Sequence, residues 1–541
     1  MKAADAIVKC LIEQKTDTVF GYPGGFIISV YESIRKLGLH HVLVRQEQAA
    51  AHSANGYARI SGKVGVCIAT SGPGATNLIT GIATAYMDSI PMVIITGQVR
   101  SNMIGRDVFQ EADITGATES FTKHSYLVKQ ASDIPRIISE AFFIASTGRP
   151  GPVLIDIPFD IQETKVESPK APTVSIRGYK PTTKGHAGQI KRAVKSLSES
   201  SRPLIVAGGG IALSGAWEEL AAFVEKTGIP LVHTLMGKGT FPTAYPAYVG
   251  MIGTHGDSHA NQAVARADAL IFLGARIADR SAGGTEIVPS NMKIIHVDVD
   301  PAEIGKNVGT HIPVVGDVKL ILKQFLDKVG MSPDIHEWKA EIEVLKAISA
   351  KKQKFRERAP GTIDPKNAVR VLSEKLDSNA ILVTDVGQNQ FWAARNFEDK
   401  KGRRFLTSGG LGTMGYGLPA SLGAKIAAPS RQVVAVVGDG GFQMSLQELG
   451  TLVANDVGVI ILLFNNNRLG MVREMQDRIY GSTSGVLLDK NPDFIKLCDA
   501  YGIPGLRVTS EEELEPALDK ALKSKGPFIV ECRVDPEEST L

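Results

Sequence analysis

Cysteine is scarce in this chain: 541 residues carry four, Cys10, Cys67, Cys498 and Cys532, widely scattered and without metal-ligand spacing. That argues against a disulfide scaffold and a thiolate metal site. Cys67 and Cys532 lie in strand-like runs, so the expectation is buried free thiols in a reducing compartment. The net charge is only +3, and no block of like charges occurs, so neither nucleic acid nor a membrane surface is indicated as a partner. The longest apolar runs are strand-sized, far short of the ~20 residues needed to span a bilayer. The N-terminus does not read as a signal peptide. Ala4, Ile7, Val8, Leu11 and Ile12 recur at helical spacing, with Asp5, Lys9 and Glu13 between them. The expected location is cytoplasmic, a mature organelle form being equally compatible. There is no short repeat and no low-complexity segment.

What is present reads as α/β. Hydrophobic content of 43% and charged content of 22% are ordinary for a soluble globular protein. Short β-branched runs, each followed by a glycine turn and a helical pattern, recur at His41–Arg45, Val64–Thr70, Met92–Thr96, Val153–Ile157, Pro203–Ala207, Ala269–Leu273, Lys293–Val299, Ile381–Thr384, Gln432–Val437, Val459–Phe464 and Phe528–Cys532. Strands alternating with helices predict βαβ units and mostly parallel sheets. Two stretches interrupt the rhythm, Lys165–Lys184 and Arg356–Pro365, and read as linkers. They leave three Rossmann-like domains, 1–164, 185–335 and 362–541.

The most informative segment is Val433–Val437 followed by Gly438-Asp439-Gly440, with Asn465-Asn466 ending a second buried run that begins at Val457. Gly438-Asp439-Gly440 is expected to end the first strand in a tight turn where small residues let a backbone approach a ligand closely, and parallel strands deliver their polar ends to one edge, where ligands bind. An aspartate and an asparagine there form a hard, all-oxygen site suited to Mg²⁺ carrying a diphosphate. An ordinary strand-end turn with a polar loop is the bland alternative. In the first domain, Glu47 lies where a strand gives way to an alanine-rich helix, and a helix-capping carboxylate is a legitimate reading of it. Two glycine turns, Gly21-Tyr22-Pro23-Gly24-Gly25 and Ser71-Gly72-Pro73-Gly74-Ala75-Thr76-Asn77, fall near the same edge and suggest a ligand cleft.

Glu47 in RQEQAAAHSANGYAR, the TSGPGATN turn and the GDG…NN site together resemble a thiamine-diphosphate enzyme. The finer resemblance is to the catalytic subunit of acetohydroxyacid (acetolactate) synthase, carried by FGYPGG (20–25), FQEADI (109–114), RPGPVLIDIP (149–158), TLMGKG (234–239), DVDPAEIGKN (298–307), TDVGQNQFWAA (384–394), LTSGGLGTMGYGLPA (406–420) and LGMV (469–472). It covers nearly the whole chain. It implies that the first domain binds the aminopyrimidine of thiamine diphosphate, the middle one FAD, and the third the diphosphate and Mg²⁺. The active site would lie between subunits of a homodimer or homotetramer, with a small regulatory subunit as a further candidate partner.

By this resemblance Glu47 is catalytic, bonding the pyrimidine ring nitrogen. Asp439, Asn466 and the carbonyl of Arg468 hold the metal. Pro23, Gly25, Gly387, Gln388, Asn389, Gly412, Met414, Gly440, Gly441, Leu469, Gly470 and Met471 contact the coenzyme, Met414 from beneath it. Gly208, Gly209, Gly210, Thr234, Leu235, Met236, Gly253, His255, Gly274, Arg276, Asp279, Asp298 and Asp317 match FAD contacts, although related enzymes keep a similar middle domain that binds another nucleotide or nothing. Arg280 matches the arginine that grips the second 2-oxo acid, a surface pair with Asp279 being the bland reading. Phe109 and Gln110 shape the acceptor side.

Several positions depart from the family pattern. Met475 stands where most relatives have tryptophan, Phe159 replaces a lysine, Thr254 a methionine, and Phe26 and Arg100 a small residue and a proline. These put acceptor preference in doubt, by about 1–3 kcal/mol for a methylene-sized difference. The chain also runs only a few residues past Val534–Glu538, so a segment that covers the site in relatives is expected to be missing. The implied reaction joins two pyruvates into 2-acetolactate with loss of CO₂, through a hydroxyethyl–coenzyme intermediate, or pyruvate with 2-oxobutyrate, for branched-chain amino acid biosynthesis. The rivals are another thiamine-diphosphate decarboxylase, oxidase or lyase, a non-catalytic relative, and a Rossmann-type dehydrogenase whose GxGxxG fingerprint is not cleanly present.

Overall fold

Every apolar run named above contains or overlaps a strand, and all the strand ladders are parallel. The computed structural model describes residues 1–167, 173–282, 288, 292–330, 333–351 and 357–540. The first sheet comprises β1 (Thr18–Tyr22), β2 (His40–Leu43), β3 (Gly65–Ala69), β4 (Met92–Gln98), β5 (His124–Leu127) and β6 (Pro152–Pro158), in the order β2-β1-β3-β4-β6-β5. The second comprises β7 (Pro203–Ala207), β8 (Leu231–His233), β9 (Tyr248–Met251), β10 (Ala269–Leu273), β11 (Lys293–Asp298) and β12 (Ile312–Val315), in the order β12-β11-β10-β7-β8-β9. The third comprises β13 (Ile381–Thr384), β14 (Arg404–Leu406), β15 (Val433–Gly438), β16 (Ile460–Asn465), β17 (Gly505–Val508) and β18 (Phe528–Arg533), in the order β14-β13-β15-β16-β18-β17.

The middle order, read from β9, is 3-2-1-4-5-6, the doubly wound arrangement that binds dinucleotides at its crossover. The outer two sheets share a different order with each other, 2-1-3-4-6-5. Central strands such as β4, β6 and β16 are buried along their whole length, as helix-covered parallel sheets require.

The outer domains pack through equivalent helices. Glu47–Ser61, which follows β2, lies against Gly417–Ala427, which follows β14. A methyl group on Gly56 would run into the Ala420 carbonyl, and one on Gly423 into that of Ser53. Glycine is what lets the two backbones meet. Buried hydrogen bonds from Ser53 to the Pro419 carbonyl and from Tyr416 to Asn55, each 2.9 Å, fix the register.

Three expectations need correction. The segment Gly438-Asp439-Gly440 is not a tight turn: β15 passes directly into a short helix, Asp439–Gln443, with Gly438 extended. The second site strand begins at Ile460 rather than Val457. Among the described residues, seven short strands, β1, β5, β8, β9, β12, β14 and β17, fall outside the apolar runs named above. Of the two expected linkers, residues 168–172 and Arg356 lie outside the described residues; the remainder carries no helix or ladder strand before the helix Pro365–Lys375. All four cysteines are buried and free. Among the described residues, no helix is long and apolar enough to cross a membrane.

Candidate active site

At the crossover of the third sheet, β13 and β15 lie side by side and diverge in connection, which opens a crevice at their C-terminal ends. A narrow cleft of about 60 Å³ there is lined by Gly387–Asn389, Met414, Gly438–Gly441, Asn466 and Arg468–Val472. Asp439 and Asn466 are both buried in its wall. Burial pushes the Asp439 carboxyl up to about 6, against the Asn491 amide and backbone donors that favour the charged form. Asn491 Nδ2 donates to Asp439 Oδ2 at 2.7 Å. Asn466 donates through Nδ2 to Gln388 Oε1 at 2.9 Å, while its Oδ1 accepts from Arg468 N at 3.1 Å. The loop carrying Arg468 is pinned by Leu469 N to the Val486 carbonyl and Leu488 N to the Asn467 carbonyl.

This donor set fits Mg²⁺. One carboxylate, one amide oxygen and one main-chain carbonyl leave coordination places for phosphate oxygens. No cluster of three His, Cys, Asp or Glu exists among the described residues that would hold an ion by itself. Gly387 adopts φ 137°, a conformation side chains disfavour, and turns the backbone into the cleft. Met414, Leu469 and Gly440 form an apolar shelf beside the polar wall, and a Cβ on Gly440 would lie 2.7 Å from Leu469 Cδ2. Asn389 lines the cleft, but its Nδ2 is engaged by the Asp385 and Val436 carbonyls at 3.0 Å each, so its side chain ties β13 to β15.

The N-terminal half of the site assembles separately. Glu47 is the first residue of its helix, behind Gln46, whose side chain accepts from Ala49 N at 3.2 Å. Asn77 Nδ2 donates to Glu47 Oε2 at 2.9 Å. Thr70, Gly74 and Glu47 crowd together, a Cβ on Gly74 falling 3.4 Å from Glu47 Oε1. The turn after β3 brings Gly72 against Gln110, and Ser71 Oγ is buried without a hydrogen-bond partner, as a ligand-facing hydroxyl would be. Pro23 and Gly25 sit in the exposed turn after β1, and Phe109 is 81% exposed. Glu47 is not among the residues that line the cleft at β13 and β15.

The middle domain and its neighbours enclose a cavity of about 650 Å³. Of the residues expected to contact FAD, it is lined by Gly209, Gly210, Thr234, Leu235, Met236, His255, Gly274, Arg276, Asp298 and Asp317. Burial raises Asp298, at the end of β11, to about 6. Asp317 caps the following helix through Leu320 N. Gly208 instead packs against Gly274 and Ala275, Gly253 is tied to Asn261, and Asp279 points to solvent, so these three do not line the cavity. Arg280 lines it while standing 3.8 Å from Asp279. Met475 and Gly412 also line it, and Met471 lines both spaces, so cavity and cleft adjoin.

Sequence reading missed four residues here. Asp385, fully buried at the end of β13, accepts from the amides of Val386, Gly415 and Gly417, tying the Met414 loop to the crevice; its place inside TDVG was the available signal. Glu448 accepts from Arg45 N at 3.0 Å and so holds the backbone leading to Glu47, while burial pushes its carboxyl up to about 7. Asn491 and Glu474 carried no local signal. The residues that follow Val534 also reach the site: Glu538, Ser539 and Thr540 meet Gln388, Trp392 and His255 in turn.

Residues 1–117, 190–325 and 385–532 match, in turn, the N-terminal TPP binding domain, the central domain and the C-terminal TPP binding domain of thiamine pyrophosphate enzymes. With the crevice geometry, this defines the class: a thiamine pyrophosphate enzyme. The chain is 46% identical to the probable acetolactate synthase large subunit of Methanocaldococcus jannaschii, over 100% of this chain and 93% of that one. It is 46% identical to the acetolactate synthase large subunit of Corynebacterium glutamicum, over 98% and 86%. To the acetolactate synthase isozyme 3 large subunit of Escherichia coli it is 42% identical, over 99% and 96%. The chain belongs to the acetolactate synthase large-subunit family.

Proposed function

We propose that this enzyme condenses two molecules of pyruvate to 2-acetolactate with release of CO₂, for branched-chain amino acid biosynthesis, in the cytoplasm. The observation that carries the reading is the pairing of Asp439 and Asn466 oxygens at adjacent strand ends, inside a cleft whose floor is backbone and whose shelf is apolar. The domain roles follow as 1–164 for the pyrimidine, 185–335 for FAD and 362–541 for diphosphate and Mg²⁺. The middle cavity's size lies in the range of ligand pockets, about 300–1,000 Å³, and its sheet order suits a dinucleotide.

Asp439, Asn466 and the Arg468 carbonyl would hold Mg²⁺, and Gly387, Gln388 and Gly440 would meet the diphosphate. Thiamine diphosphate, once bound, supplies the electron sink for decarboxylation. Glu47, steadied by Asn77 and by the Glu448 grip on Arg45 N, would hold a proton at the pyrimidine ring nitrogen. Arg280 binds the carboxylate of the second 2-oxo acid as a fork of donors, and Phe109 and Gln110 shape the acceptor side. The cleft of about 60 Å³ is far too small for a coenzyme on its own. The exposed Phe109, Leu411, Val472 and Tyr480 are the kind of apolar surface a second subunit covers. A homodimer or homotetramer would bring the partner's glutamate over the cleft, and a small regulatory subunit is a further partner, since the relatives are called large subunits.

Acceptor choice falls to Met475, Thr254 and a contact group that the substitutions create together: the Phe26 and Phe159 rings lie 6.4 Å apart, with the Arg100 guanidinium 5.6 Å from Phe159. The test is product analysis of the purified protein with pyruvate, with and without 2-oxobutyrate, beside its visible spectrum for flavin. Acetolactate with a flavin band supports the reading; acetaldehyde or acetyl phosphate as the product overturns it.

A further inference from the structure

We propose that Glu474 is a positioning residue that sets the orientation of the metal-binding amide through Gln388, an inference that rests on the reading of Asn466 as a metal ligand. Gln388 Nε2 donates both to a Glu474 carboxylate oxygen and to the Glu538 carbonyl, the latter at 2.7 Å. Gln388 Oε1 accepts from Asn466 Nδ2 at 2.9 Å. A carboxylate and a carbonyl can only accept, so together they force the amide nitrogen of Gln388 toward them and its oxygen toward Asn466. That oxygen in turn captures the Asn466 nitrogen. Asn466 Oδ1 is left facing the Arg468 amide and the cleft. Polarity passes in one direction along the relay, and it ends on the atom a hard cation requires.

The relay is built tightly. A Cβ on Gly470 would strike both the Gln388 amide and Asn466 Nδ2, so the glycine makes room for the pair. Glu474 is itself fixed by the segment after Val534. Thr540 N donates to its Oε1 at 2.9 Å, and the Thr540 and Ser539 hydroxyls donate to Oε2 at 3.0 and 3.3 Å. Arg473 Nη2 holds the same Glu538 carbonyl at 2.8 Å. Thr540 Oγ1 also lies 3.3 Å from His255 Nδ1, on the wall of the larger cavity, so one short segment touches both ligand spaces. Groups that orient a metal's ligands without touching the metal typically account for 10–100-fold in its affinity.

The experiment titrates thiamine diphosphate with Mg²⁺ into the full chain by calorimetry and measures the melting temperature without ligands. Glu474→Ala is expected to weaken Mg²⁺-dependent coenzyme binding about 10–100-fold. Glu474→Gln is expected to restore it, because its amide oxygen still accepts from Gln388 while its nitrogen donates to the Thr540 and Ser539 hydroxyls. In a Gln388→Met background, Glu474→Ala is expected to change affinity less than about twofold, since the relay is already cut. Should Glu474→Ala not fold, Glu474→Met, which fills the same space without an acceptor, set against Glu474→Gln carries the same contrast. Unchanged affinity in Glu474→Ala, with wild-type binding intact and abolished by Asp439→Ala, overturns the relay alone. Absence of Mg²⁺-dependent binding in the wild type overturns the underlying reading of the cleft.

Discussion

The first and third sheets run their strands in the same order, pack against each other through equivalent helices, and reverse direction at equivalent points, yet they are furnished differently. In the third, the strand beside the crossover ends in Gly438-Asp439 and its neighbour in Asn465-Asn466, an all-oxygen wall. In the first, the equivalent strand β3 ends in Thr70-Ser71, and the polar group is Glu47 on the helix after β2. The difference extends inward. Asp156 on β6 is held by neutral donors, Thr96 at 2.7 Å and Gln98 at 2.9 Å, and burial pushes it up to about 7. Glu531 on β18 is met by the Arg507 guanidinium at 2.8 Å. One topology therefore supplies two ligand edges, and a handful of side chains decides what each can do.

Breaking the two edges should fail in opposite ways. Asp439→Ala is expected to abolish Mg²⁺-dependent coenzyme binding and turnover together. Glu47→Ala is expected to keep binding and folding but to lose at least about 10²-fold in kcat. Calorimetric titration beside steady-state assays distinguishes them, and retained turnover in Glu47→Ala would remove its assigned role.

The packing between the two domains should be nearly as sensitive. Gly56→Ala pushes a methyl into the Ala420 carbonyl and is expected to cost about 3 kcal/mol, the upper end for overpacking, read as a lowered melting temperature.

The contrast in buried carboxylates predicts a pH effect. Asp156 titrates near 7 when folded and near 3.8 in the ordinary state, so between these values the folded chain binds more protons. Its contribution to stability is full below the ordinary value and is lost as pH rises toward 7. Asp156→Asn should match the wild type near pH 4 and gain on it by on the order of 2 kcal/mol by pH 8. Denaturant unfolding at both pH values checks the sign.

The smallest effect concerns the acceptor. Met475→Trp, on the wall of the larger cavity, is expected to shift the ratio of 2-oxobutyrate to pyruvate use by about 1 kcal/mol, measured by competition between the two.

Much of this was legible in the chain because it is written locally. A buried parallel strand is an uninterrupted apolar run, so β4, β6, β10, β15 and β16 announced themselves. Most of the unannounced strands lie at sheet edges and bury little: β5 and β14 are mostly half-exposed, and β12 contains Pro313, which an edge tolerates. The site glycines and Asp439 were readable from their motifs. Asn491, Glu448 and Glu474 were not, since each meets its partner across more than 50 residues of chain.

The order of amino acids by itself therefore determined the class of fold, the strand-end motifs and the kind of chemistry they allow, because backbone preference and hydrophobic pattern act over a few residues. Only the tertiary structure decided that the outer domains are two versions of one topology, that Glu47 lies outside the lining of the cleft that holds Asp439, and which way the Gln388 and Asn466 amides point. Those depend on groups brought together from distant segments, and hydrogen-bond direction is settled only when the partners are in place.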